Sequence, residues 1–200
     1  MNKAYSEACD RNREPILSVL KEQFADCKAV LEIGSGTGQH AVYFAKHLPH
    51  LIWHTSDLLE NHADIRLWLD EAGLENLRPP LLLDVMQAEW PELEIDAVFS
   101  ANTVHIMHWQ AVTALFAGVG RLLPREGAFA LYGPFIYGHR YTSRSNADFD
   151  AWLKQRDPHS GIRNFEDLDE LARASGLAFK RDYVMPANNR VLCWEKGRIK

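Results

Sequence analysis

Hydrophobic positions along the chain fall into two alternating kinds of run. Short apolar runs rich in β-formers are followed by longer ones in which apolar residues return every three or four positions. That alternation predicts a sheet with helices on both faces. The first helix is expected to start near Pro15, whose fixed φ suits a first turn, and to set Ile16, Leu17, Leu20 and Phe24 on one side. A strand over Ala29–Ile33, a helix over Gly38–Leu48 and a strand over Leu51–Thr55 come next. Asn61 is placed to cap a third helix that has Asp64 in its first turn and Gly73 past its end, and that buries Ile65, Leu67, Trp68 and Leu69. Leu81–Leu83 reads as a strand, and Ile95–Ala101, apolar almost throughout, as a central one covered on both faces. Later come a helix over Trp109–Leu123, a strand over Gly127–Tyr132, a loop from Gly133 to about Ser145, and helices over Ala147–Gln155 and Phe165–Ser175. Phe179–Val184 and Arg190–Trp194 close the chain as a hairpin. The expected fold is α/β: a Rossmann-like, doubly wound, seven-stranded sheet, mostly parallel, with an antiparallel C-terminal pair.

One segment carries nucleotide chemistry. Val30-Leu31-Glu32-Ile33-Gly34-Ser35-Gly36-Thr37-Gly38 runs from a predicted strand through a glycine loop into a predicted helix. Glycines are needed there because the backbone must reverse within a few residues while passing close beside a bulky ligand. A phosphate loop is excluded, since no Gly-Lys-Ser/Thr follows. The dinucleotide fingerprint fits poorly, since Gln39 stands where its third small residue belongs. An acid before the loop, with glycines at alternate positions, matches the S-adenosylmethionine version.

Length and charge narrow the partners. Two hundred residues, 46% of them hydrophobic, suit a single domain over 1–200, since a chain this long buries roughly 70% of its unfolded surface. A net charge of −5 with no long Lys/Arg block argues against nucleic acid as a general partner; the short basic end, 196–200, reads as a solvated tail. Cys9, Cys27 and Cys193 stand at long spacings without a Cys-x-x-Cys, which predicts reduced thiols and a cytoplasmic location. Charged residues through the first twenty positions leave no signal-peptide core, and no run reaches the ~20 apolar residues of a membrane span.

Glu32-x-Gly34-x-Gly36-x-Gly38 resembles the first motif of the Rossmann-like S-adenosylmethionine-dependent methyltransferase superfamily. That resemblance implies cofactor contacts at Glu32, Gly34, Gly36 and Gly38, at Asp57 on the ribose hydroxyls with Leu58 beside it, at Asp84 on the adenine amino group with Val85 beside it, and at Asn102 near the sulfonium end. More narrowly, the chain resembles a family of small methyltransferase-like proteins of unknown function. The residues that carry this are Arg11-Asn12-Arg13-Glu14-Pro15-Ile16, Asn102-x-x-His105-Ile106, Leu131-Tyr132-Gly133-Pro134-Phe135, Ser145-Asn146-x-x-Phe149-Asp150, Arg156-Asp157-Pro158 and Met185-Pro186-Ala187-Asn188-Asn189. Arg125-Glu126-Gly127 departs from it, where such proteins show a Gly-Gly turn.

Each assignment has a structural counterpart. Asp57 and Asp84 equally suit helix caps. Asn12 and Arg13, ahead of the first helix, suit capping, or a lid in which Arg13 pairs the cofactor carboxylate. His105 follows a strand end, where open α/β sheets bind ligands, and could take a proton from the acceptor; a ring satisfied by backbone carbonyls is the other reading. No metal site is expected from His105 and His108, which lack a third ligand. His47, His50, His54 and His62 are expected on surface turns and helix ends and carry no assigned chemistry. Tyr132, Phe135 and Tyr137 are read as acceptor contacts, with core packing or a homodimer contact as alternatives. Asn188 and Asn189 are placed to orient an acceptor, or to form an ordinary hairpin turn. The function so implied is direct methyl transfer to an unidentified acceptor, expected to be a small molecule; a non-catalytic S-adenosylmethionine-binding sensor or scaffold is the alternative.

Overall fold

The computed structural model describes residues 3–197. Of the basic end, 198–200 lie outside the described residues. Strands β1 (Ala29–Ile33), β2 (Ile52–Asp57), β3 (Leu77–Leu82), β4 (Ala97–Ala101), β5 (Ala128–Ile136), β7 (Leu177–Val184) and β8 (Asn189–Lys196) form one sheet in the order β3-β2-β1-β4-β5-β8-β7. The first five are mutually parallel, and β8 runs antiparallel to both β5 and β7. A two-residue strand, β6 (Arg163–Asn164), pairs with the end of β5. The expected seven-stranded doubly wound sheet is therefore present, with β6 added.

Helices α1 (Glu7–Gln23), α2 (Gln39–His47), α3 (His62–Ala72), α4 (Trp109–Leu122), α5 (Arg144–Arg156) and α6 (Phe165–Ala174) flank it. Because side chains alternate across a strand, β1 feeds two cores: Val30 joins Ile16, Leu20, Phe44, Trp53 and Phe99 on one face, and Leu31 joins Val98, Phe116, Phe129 and Trp194 on the other.

Several expectations are corrected. The first helix begins two turns earlier than Pro15: Ser6 caps it, its hydroxyl accepting from the Cys9 amide at 3.4 Å, and Pro15 lies inside. Asn12 and Arg13 are thus helical and cannot be caps. Strand β3 starts at Leu77 and runs through Pro79 and Pro80, which an edge strand tolerates because one side has no hydrogen-bonding partner. Strand β5 continues through Gly133-Pro134-Phe135 instead of ending at Tyr132, held by β8 and β6. Ser143 caps α5 from Arg144, its hydroxyl accepting from the Asn146 amide at 3.1 Å. The Asn61 side chain caps nothing; it donates to Asp57 instead. Leu67 of α3 is exposed, and Trp68, half-buried, donates to the Ala4 carbonyl. His62 is buried, bonding the Asp57 carbonyl at 3.1 Å, and His54 is half-buried in β2. In the departing turn, Glu126 adopts the left-handed conformation, φ 67°, usually left to glycine.

Candidate functional site

The strand order reverses between β1 and β4, the place where open α/β sheets bind ligands beyond the strand C-termini. The glycine loop leaves β1 there. Gly34, Gly36 and Gly38 all have positive φ, 75°, 58° and 88°. A Cβ on Gly34 would sit 2.6 Å from the Thr103 methyl, whereas one on Gly36 would point into open space. Glu32 lies beneath this loop, 1% exposed, and lines neither of the two cavities that meet there. One of its carboxyl oxygens accepts from Ser35 Oγ at 3.0 Å and Trp53 Nε1 at 3.1 Å, and burial pushes its pKa up to about 8. Its place is to fix the loop from below.

Two cavities meet at the loop and share Gly34, Gly36, Ala101, Asn102 and Ile106 in their linings. Asn102 itself has φ 60°, an uncommon conformation for a non-glycine residue, and is tied by its amide to the Tyr132 carbonyl at 2.9 Å. The smaller cavity, about 500 Å³, collects the acids expected to meet a cofactor: Asp57 and Asp84, with Leu58 and Val85 beside them, joined by Glu60 and Asn61. Asp57 is already engaged. One of its oxygens accepts from the Gly36 amide at 2.7 Å, the other from the Leu58 amide at 2.8 Å and Asn61 Nδ2 at 2.7 Å. Asp84 accepts from the Met86 amide at 2.9 Å.

The larger cavity, about 680 Å³, brings together His105, Asn188, Asn189, Ser6, Cys9 and Thr37 from distant parts of the chain, with His40 and one face of α5. His105 is 5% exposed, its ring edge-on to Phe149 at 5.4 Å between centroids, and its buried Nδ1 has no hydrogen-bond partner. Burial, aided by the Arg163 charge, lowers its pKa to about 4, so the ring is neutral. Arg163 also braces the segment after β4, donating through Nε to the Val104 carbonyl at 2.9 Å and through Nη2 to the Met107 carbonyl. His105 is therefore not a ring satisfied by backbone carbonyls at Nδ1.

Other expected residues lie elsewhere. Gly38 packs against α3 and faces neither cavity, as the N-cap of α2. Arg13 pairs with Asp10 and lies over the Tyr43 ring, so it does not cover the loop. Asn12 is buried against α2, its Oδ1 2.7 Å from His40 Nε2. Tyr132 and Phe135 are core residues of β5. Tyr137 stacks on Phe165 and donates to Asp182 at 2.7 Å. These three line no acceptor cavity, because β5 runs on past Tyr132 and turns their rings into the packing of the sheet. Among the described residues, no three His, Cys, Asp or Glu side chains stand close enough to hold a metal ion.

A family model described as "Protein of unknown function (DUF938)" matches residues 3–196. The chain belongs to this family. Its fold is shared with solved structures of low identity. An O-methyltransferase family protein from Burkholderia thailandensis superposes with a TM-score of 0.82 at 18% identity, over 97% of this chain and 59% of that one. Human N-acetylserotonin methyltransferase in complex with SAM gives 0.80 at 15%, over 96% and 53%. An O-methyltransferase family 2 protein from Planctomyces limnophilus in complex with apigenin gives 0.75 at 14%, over 92% and 61%. This chain of the DUF938 family thus spans little more than half the length of these proteins, and at such identities the likeness establishes the fold.

Sequence reasoning missed His40, Thr37, Ser6, Phe149, Trp152 and Arg156, all on the larger cavity. Phe149, Trp152 and Arg156 had a readable signal, a three- and four-residue spacing on one helix. Ser6 had none. It reaches the site because its amide donates to Gln39 Oε1 at 2.5 Å, drawing the start of α1 onto the glycine loop.

Proposed function

We propose that this chain binds S-adenosylmethionine across the glycine loop and methylates a small-molecule acceptor. The observation that carries this is the junction of two unlike cavities at Gly34, Gly36 and Asn102: one lined by three carboxylates, the other holding a neutral, buried histidine. The residues present suit the cofactor. Carboxylates accept from ribose hydroxyls and an exocyclic amino group, the open space above Gly36 admits a ligand against the backbone, and a fold neighbour was solved with SAM. Asp57, Leu58, Asp84 and Val85 would hold the adenosine portion, with Asn102 toward the sulfonium end. Three bonds already made to Asp57 leave one of roughly four acceptor positions for a ribose hydroxyl, so a second ribose bond requires Asn61 to give way.

The cofactor supplies an activated methyl group when bound. The chain's own residues hold and orient: the shared lining would align the ligands of the two lobes beside the apolar side chains of the larger one. The His105 imidazole, neutral and on the cavity lining, is the group that would take a proton from the acceptor. O-methyltransferases among the fold neighbours support a hydroxyl acceptor.

Thermal shift and calorimetry with S-adenosylhomocysteine against NAD test the binding step; stabilisation by NAD alone would sink the proposal. Transfer of labelled methyl groups into fractionated metabolite extracts tests the chemistry. Tight binding without transfer to any fraction assigns the chain a sensing or scaffolding role instead.

A further inference from the structure

One entire face of α5 lines the larger cavity. Ser145, Asn146, Phe149, Trp152, Leu153 and Arg156 recur at the three- and four-residue intervals that bring helical side chains onto one stripe. The chemistry changes along this stripe. At its N-terminal end the groups are small and polar, cross-linked to the turn before β8: Asn146 Nδ2 donates to the Asn188 carbonyl at 3.1 Å, and Asn188 Nδ2 to Ser145 Oγ at 3.2 Å. In the middle stand two rings, Phe149 against His105 and Trp152 stacked with Phe149 at 5.8 Å and 17° between planes. At the C-terminal end the Arg156 guanidinium lies 4.7 Å over the Trp152 ring. From Phe149 to Arg156 the helix axis advances about 10 Å.

Charge is divided between the two lobes. Asp57, Glu60 and Asp84 line the smaller one. Among the described residues the larger is lined by no acid, and Arg156 is its one formal charge beside two histidines held neutral by burial, in a chain of net charge −5. The carboxylates nearest Arg156 in sequence are engaged elsewhere, Asp157 with His108 and Asp150 with Lys154. A guanidinium at one end of an aromatic pair, with the His105 imidazole at the other, is a site for a ligand that is planar, negatively charged at one end and a hydrogen-bond donor at the other.

We infer that the larger lobe binds a planar aromatic hydroxy acid, its ring against Phe149 and Trp152, its carboxylate on Arg156 and its hydroxyl toward the His105 imidazole. This rests on the function proposed above, which gives the hydroxyl its purpose. The amino-acid end of the cofactor also carries a carboxylate, so the experiment must separate the two sources. Full-length protein saturated with S-adenosylhomocysteine is titrated calorimetrically with 6-hydroxy-2-naphthoate, with the matched uncharged 6-hydroxy-2-naphthamide, and with a ring-saturated analogue of the acid. The expected result is at least tenfold tighter binding of the naphthoate than of either comparator. Arg156→Gln, on an exposed side chain, should abolish the preference for acid over amide and leave S-adenosylhomocysteine affinity within twofold. Equal binding of acid and amide, or no binding of the naphthoate, overturns the inference and leaves the cofactor reading standing. A tenfold loss of S-adenosylhomocysteine affinity in Arg156→Gln also overturns it, by assigning the guanidinium to the cofactor. Failure of S-adenosylhomocysteine itself to bind overturns both.

Discussion

The Asp57 carboxylate accepts bonds from the amides of Gly36 and Leu58 and from the Asn61 side chain, so the glycine loop is fastened to the end of β2 before any ligand arrives. Asp57→Asn replaces one acceptor oxygen by a donor and sets N–H against N–H at one of these contacts. The expected cost is about 1–3 kcal/mol of stability in urea denaturation, with S-adenosylhomocysteine binding at least tenfold weaker. Unchanged affinity in a folded variant would remove Asp57 from the site. At His105 the expectation is kinetic: once an acceptor is known, His105→Gln should lower kcat by roughly 10²–10⁴ while cofactor binding persists. Because burial holds the ring's pKa near 4, the wild-type rate should show no titration of this residue between pH 5 and 8. A near-normal variant rate places the base elsewhere.

Elements differ in how far the pattern of side chains announced them. Strands β1, β2 and β4 and helices α2, α4 and α6 have apolar runs or stripes that match their burial, and Gly73 and Gly176 stop their helices in the left-handed conformation glycine favours. The start of α1 was hidden because its first two turns, Glu7–Glu14, carry no stripe of large apolar residues, and Pro15 looked like a beginning. Prolines concealed β3 and the far half of β5 in the same way: they remove a donor that an edge strand or a strand end does not use. Hence Asn12, Arg13, Tyr132, Phe135 and Tyr137 were drawn to the site by neighbouring motifs and belong to packing. That Gly34, Gly36 and Asp57 stand at the ends of β1 and β2 was legible, since strand-to-helix turns leave little freedom over where such residues lie. A test at this scale is Gly38→Ala. The new Cβ would stand 3.1 Å from the Ile65 Cα at φ 88°, so the junction of loop, α2 and α3 should lose about 1–3 kcal/mol. An unchanged melting temperature would show that α3 can shift to admit it.

Across the whole molecule, three buried titratable groups bend stability with pH in opposite directions. His40 and His105, depressed from 6.5 to about 4, are neutral when folded; the unfolded chain gains protons the native state refuses, so stability is full above pH 6.5 and falls as pH drops toward 4. Glu32, raised from 4.5 to about 8, keeps its proton when folded, so its contribution is full below pH 4.5 and is lost as pH rises toward 8. Together they place a stability maximum near pH 6.5. In Glu32→Gln, chemical denaturation between pH 6.5 and 8 should show a flatter decline than in the parent; an equal decline would mean that another group titrates there.

At this scale too, no sequence pattern foretold that the ends of β1, β2, β3 and β4, the face of α5 and the turn at Asn188 would border two lobes with five residues in common. That sharing bears on inhibitor design. An adenosine fragment in the acidic lobe and an aromatic acid in the cationic lobe would approach each other beside Asn102 and Ile106. Joined by a tether short enough to cross that neck, they would bind as one molecule, the first half presenting the second at an effective concentration on the order of millimolar. Two weak fragments would then make one selective ligand, usable as a probe of the site before the natural acceptor is known.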